Sequence, residues 1–148
     1  MLAEAVGAGM TKTKTKTKTE AGVSAIEQLR MEEPVRLDPD RLVVLYAELG
    51  QFAAERLIAA AMEDLAVHLV AVQLAAQERR LDVLDHGAAE IARLARQVGM
   101  VLLARVAQDL RDCVARADAV AQAAVLARLV RLAETSLTAF WDYQDLQL

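Results

Sequence analysis

Ile58, Ala61, Met62, Leu65, Leu69 and Val72 fall three or four places apart. That spacing gathers them on one face of an α-helix and would scatter them over both faces of a strand. The same spacing returns in Leu84, Ala88, Ile91, Leu94 or Ala95, and Val98. It returns again in Leu103, Val106, Leu110 and Val114, and in Leu126, Leu129, Val130, Ala133, Leu137 and Phe140. Composition points the same way. The 148 residues are 55% hydrophobic, dominated by Ala and Leu, with 3% aromatics, two prolines and six glycines. Such a chain favours helix and gives strands little to build on. Its core must be filled by Leu, Val, Ile and Ala, as in a helix bundle. The expected fold class is all-α.

Punctuation divides the pattern into five helices. Asp38 is the expected N-cap of the first, with Pro39 at its first position and Gly50 at its end. Leu42, Leu45 and Leu49 are its expected inward residues. The second runs from about Phe52 to Glu78, closed by Arg79 and Arg80. The third has Asp82 as its expected N-cap and stops at Gly99. The fourth follows directly, and Asp118 caps the fifth. Short junctions predict antiparallel neighbours. The expected architecture is an up-down antiparallel four-helix bundle with a short extra N-terminal helix covering one end. Residues 1–36 read as a disordered low-complexity tail with a possible short helix, and 37–148 as the domain. The repeat TKTKTKTKT, Thr11 to Thr19, offers no apolar residue to bury.

Several function classes are disfavoured. The net charge of −4 leaves no electrostatic footprint for nucleic acid. No apolar run of about 18 residues is free of charge, so no membrane-spanning helix is expected. The N-terminus lacks the basic-then-apolar order of a signal peptide. Cys113, the single cysteine, reads as an inert core thiol. Together these features predict a cytoplasmic protein without cofactor or metal. Ser24 and Ser136 have no supporting histidine and acid, and no Gly-rich phosphate loop, CxxC or HExxH motif occurs. An enzyme is therefore not expected.

From Asp82 to Leu110 the chain resembles the histidine phosphotransfer (HPt) domains of two-component signalling. Asp82 stands at that family's helix-opening aspartate, Leu84 at the leucine five before its histidine, and Ala88 at the alanine just before it. Ile91, Ala95, Val98, Gly99, Met100 and Leu103 continue the register without a gap, followed by Ala104, Ala107 and Leu110. Upstream, the segment around Leu49 and Gly50 resembles the family's preceding helices, and the likeness covers roughly residues 37–143. The resemblance implies a four-helix bundle that docks a response-regulator receiver domain or a histidine kinase. It breaks at the chemical centre. Ala89 stands where the phosphoacceptor histidine belongs, Ala92 at the lysine and Arg93 at the glycine. Phosphoryl transfer needs a nucleophilic ring nitrogen, which alanine lacks. The resemblance thus implies a non-phosphorylatable version that binds or regulates, through a face containing Ala89, Ala92, Arg93, Arg96 and Gly99.

Three alternatives accompany this expectation. His86 precedes Ala89 by three residues, a displacement of about 60° around the helix and about 4.5 Å along it. It is therefore a candidate relocated phosphoacceptor. Asp82, His86 and Glu90, four residues apart, form a candidate metal stripe set against an ordinary solvated face. His68 is the only other imidazole, and it reads as a helix residue without function. The last alternative is a structural or oligomerising helical protein, and a homo-oligomer is compatible with any of these. Arg93, Arg96 and Arg105 form either a basic patch or solvent charges. Trp141 and Tyr143 are expected to pack the end of the bundle.

Overall fold

The computed structural model describes residues 37–146, so the expected tail, 1–36, lies outside the described residues. The described residues are all-α, in five helices: α1 Pro39–Leu49, α2 Gln51–Gln77, α3 Leu81–Gln97, α4 Val101–Ala115 and α5 Ala119–Leu146. One isolated antiparallel bridge, Leu37 to Met100, is the single extended pairing among them.

The helix ends follow from local chemistry. Asp38 is extended, and its Oδ1 accepts a hydrogen bond from the Asp40 amide at 3.0 Å, with Pro39 opening α1. Gly50 turns the chain at φ 77° while its amide donates to Tyr46 O. The next three junctions repeat one device. After α2, the Arg80 amide donates to Ala75 O and the Arg79 amide to Ala76 O. After α3, Met100 donates to Ala95 O and Gly99 to Arg96 O. After α4, Asp118 donates to Cys113 O and Ala117 to Val114 O. Each is a Schellman closure, with a left-handed residue at its hinge: Arg79, Gly99 and Ala117 at φ 54°, 80° and 53°. Asp118 then caps α5 by accepting from the Ala121 amide at 3.0 Å. The expected cap at Asp82 is corrected. The Schellman turn delivers the chain straight into α3, so Arg80 is its N-cap, without a side-chain bond. Asp82 lies inside the first turn, where its charge still favours the helix dipole.

Packing draws on the predicted faces. Leu65, Val72, Leu84, Ile91, Val98, Val106, Leu110 and Leu129 are fully buried, along with many smaller aliphatics. α3 packs on α2 and α4, α4 on α5, and α2 on both α1 and α5. Cys113 is a buried free thiol. Gly87 faces α2 so closely that a Cβ there would stand 2.5 Å from Val72 Cγ1. Leu49 departs from expectation. It is exposed, because α1 ends there at Gly50, while Leu45 alone of that helix is buried.

The start of α1 is fastened to the α3–α4 turn. The Asp38 amide donates to Gly99 O at 2.7 Å, and Arg41 Nε donates to Gln97 O at 3.1 Å. Gly99 is buried beneath this contact. A Cβ on it would meet Asp38 O at 3.2 Å and Arg41 Cβ at 3.3 Å.

As expected, no run of about 18 residues is free of charge, yet one helix among the described residues is long and apolar enough to pass the test for a membrane span. α2 meets that test by length and composition, with mean hydropathy 1.6 over an 18-residue window of which only 28% is buried. Length and composition alone do not separate a membrane span from a helix packed on protein. They do establish that α2 carries apolar surface its own fold leaves uncovered.

A candidate docking face on α3

Successive turns of α3 point Asp82, His86, Arg93 and Arg96 into solvent, with Ala89 and Glu90 half-buried between them. The opposite face is core, because Leu84, Ala88, Ile91 and Ala95 recur at helical spacing. His86 is exposed, and among the described residues its ring has no hydrogen-bond partner. Glu90 Oε2 accepts from Arg93 at 3.0 Å through Nε and at 2.9 Å through a terminal nitrogen. That bond holds the Glu90 carboxyl below its ordinary range. Desolvation opposes the shift, and the charges of Arg93, His68 and His86 reinforce it. His68 of α2 therefore stands within electrostatic reach of the same carboxylate as His86. Sequence alone gave no sign of this, because nothing in the spacing of α2 relates its phase to that of α3.

The expected face is only partly a surface. Ala89, Arg93 and Arg96 reach solvent, but Ala92 is 1% exposed and belongs to the core. Gly99 is covered by the start of α1. Ala92 and Gly99 are therefore corrected from surface to interior. Alanine is small enough for either side of a helix, so its identity did not fix its place. Nor is the stripe apolar: the large hydrophobics exposed on α3 are limited to Leu81.

Asp85 reaches across to the neighbouring helix. Its carboxylate meets Arg111 of α4, with Nε to Oδ1 at 3.0 Å and a second contact at 3.4 Å, clamping the two helices on the outside. This bond, chiefly, raises the Arg111 guanidinium above its ordinary value. The stripe of Asp82, His86 and Glu90 does not gather into a metal site. Among the described residues no group of three or more His, Cys, Asp or Glu side chains is placed to hold an ion. Four-residue steps of about 6 Å along the axis spread the three apart, and Arg93 already engages Glu90. Trp141 and Tyr143 are also corrected, since both are exposed near the end of α5. The Trp141 ring meets Phe140 edge-on, with centroids 5.0 Å apart.

Compared with known proteins, the chain matches no protein-family model, no curated protein and no solved structure.

Proposed function

We propose that this chain is a histidine-phosphotransfer-like signalling domain that docks a response-regulator receiver domain or a histidine kinase through the outer face of α3. It binds or regulates without carrying the phosphoryl group at the usual position. The observation that carries the reading is the placement of Ala89. It sits half-buried in the exposed stripe between His86 and Arg93, at the point where the resembled pattern has its nucleophile. In this reading α2 to α5 form an up-down antiparallel four-helix bundle with α1 over one end. The cycle of contacts α2–α3, α3–α4, α4–α5 and α5–α2 supports that arrangement, as do the short junctions. Arg93 and Arg96 supply the positive charge that an acidic receiver pocket would meet. The domain is a cytoplasmic binding module rather than an enzyme.

One observation favours a second reading, an active carrier. The exposed, unbonded His86 ring meets the steric requirement for a nucleophile. A ring nitrogen would attack the phosphorus of a phospho-aspartate, and the aspartate carboxylate would leave. Against this, Glu90 lies one turn away and would oppose a phosphoryl group held there. The experiment that separates the readings incubates the full chain, and its His86→Ala variant, with labelled phospho-receiver domains and with autophosphorylated kinases. Binding of a receiver domain without label transfer, lost in Arg93→Glu, supports the regulatory domain. Label on the parent but not on His86→Ala moves the assignment to the carrier. Neither binding nor label with any partner removes the phosphorelay reading.

A further inference from the structure

The outward side of α2 leaves a row of large apolar side chains open. Phe52, Val67, Val70 and Leu74 are 74%, 66%, 65% and 52% exposed. They share an arc with Arg56, Ala60 and Glu63, and from Arg56 onward the steps alternate between four and three residues. That is the spacing of a helix-pairing seam. α1, α3 and α5 pack on other sides of α2. His68 marks the flank near Glu90 of α3, about 120° around the helix from the seam.

Charge along the seam selects its occupant. Arg56 stacks on its own Phe52 ring at 5.8 Å, and no ion pair within the described residues engages it. Glu63 and Asp64 are exposed and equally unpaired among the described residues. Arg56 and Glu63 lie on one face but about 10 Å apart along the axis, too far to meet within a single helix. We propose that this chain forms a two-fold dimer by pairing the outward face of α2 antiparallel with the same face of a second copy, crossing near Ala60. In that register each Arg56 faces the other copy's Glu63 and Asp64, twice over, by symmetry. Each Phe52 covers the other copy's Val67. Val70 and Leu74 extend toward the other copy's Gly50 corner, where Leu49 is exposed. The small Ala60 lets the two helices approach at the axis. A parallel pairing would set like charges against each other and is disfavoured. A lipid occupant is disfavoured because Glu63 and Asp64 would enter the apolar phase without partners.

The dimer uses a face separate from the α3 stripe, so it stands or falls independently of the phosphorelay reading. The test is sedimentation velocity of the full chain over a wide concentration range. The expected species has twice the 16.1 kDa mass of the chain. Val70→Glu, at a position open to solvent, is expected to yield monomer with unchanged helical circular dichroism. Arg56→Glu is expected to raise the dimer dissociation constant about tenfold or more. Adding Glu63→Arg and Asp64→Arg to it is expected to restore the parent value to within a few-fold. A monomer at every concentration overturns the proposal. So does a dimer indifferent to Val70→Glu, or a charge swap that fails to restore pairing. A monomer that co-sediments with phosphatidylcholine–phosphatidylglycerol vesicles, and loses this with Val70→Glu, overturns it in favour of lipid. A monomer whose α2 face is shielded from hydrogen exchange by residues 1–36 overturns it in favour of the chain's own N-terminus.

Discussion

Gly99 answers to two constraints at once. Its φ of 80° lies where a Cβ is strained, and the carbonyl of Asp38 and the side chain of Arg41 leave no slack around it. Gly99→Ala is expected to lower the unfolding free energy by about 1–3 kcal/mol in a denaturant titration. Gly87 differs in kind. Its backbone is ordinary helix, where alanine would gain about 1 kcal/mol of propensity. The added methyl, however, would enter the space of Val72 Cγ1, on a buried, β-branched side chain that cannot step aside cheaply. A net loss of about 1 kcal/mol is expected for Gly87→Ala, and a smaller further loss for Val72→Ala in that background than in the parent. Glu90 carries the pH dependence at this scale. Its folded pKa is depressed, so the stabilisation it shares with Arg93 is present above the ordinary carboxylate value of 4.5 and lost as pH falls through the depressed one. A carboxyl-carbon NMR titration should place Glu90 below that value in the parent. It should move upward in Arg93→Ala.

At the scale of elements, the three Schellman junctions explain both what the sequence made legible and what it hid. Gly50, Gly99, Asp38 and Asp118 are residues whose chemistry fits one backbone role, and the boundaries they mark hold to within about a residue. Arg79 and Ala117 occupy the same left-handed hinge as Gly99 but carry a Cβ, so nothing in their identity announced it. For this reason the sequence marks Asp82, and not Arg80, as the start of α3. The same comparison makes a prediction. Arg79→Gly and Ala117→Gly are each expected to raise the thermal midpoint, by an amount equivalent to about 0.5–1 kcal/mol, because they relieve the hinge strain. The inward faces of α3 and α4 were legible because both helices are strongly two-sided. The outward face of α2 was not. Val67, Val70 and Leu74 are the same residue types as the buried Val72, Leu65 and Leu69, so identity alone did not mark a second, outward apolar face. The candidate site suffered a related ambiguity: Ala89 and Ala92 are the same residue, and only packing sends one outward and the other into the core.

At the scale of the whole molecule, stability should be uneven in a way the contacts define. α3 and α4 bury most of their inward residues in a common core and are also clamped outside by Asp85 and Arg111. α1 buries only Leu45 and is held at its start by the Asp38–Gly99 bond, which belongs to the Leu37–Met100 bridge, and by the Arg41–Gln97 bond. A segment with so few buried contacts opens at a lower free energy than the core on which it rests. Native-state hydrogen exchange should therefore find α1 amides opening sub-globally while those of α3 and α4 exchange only through global unfolding. Arg41→Ala removes one of these two fastenings without touching the core. It should speed exchange across α1 severalfold and leave the slowest amides of α3 and α4 nearly unchanged. Equal acceleration in all three helices would mean that α1 and the core open as one unit, and that the fastening at Gly99 belongs to global stability.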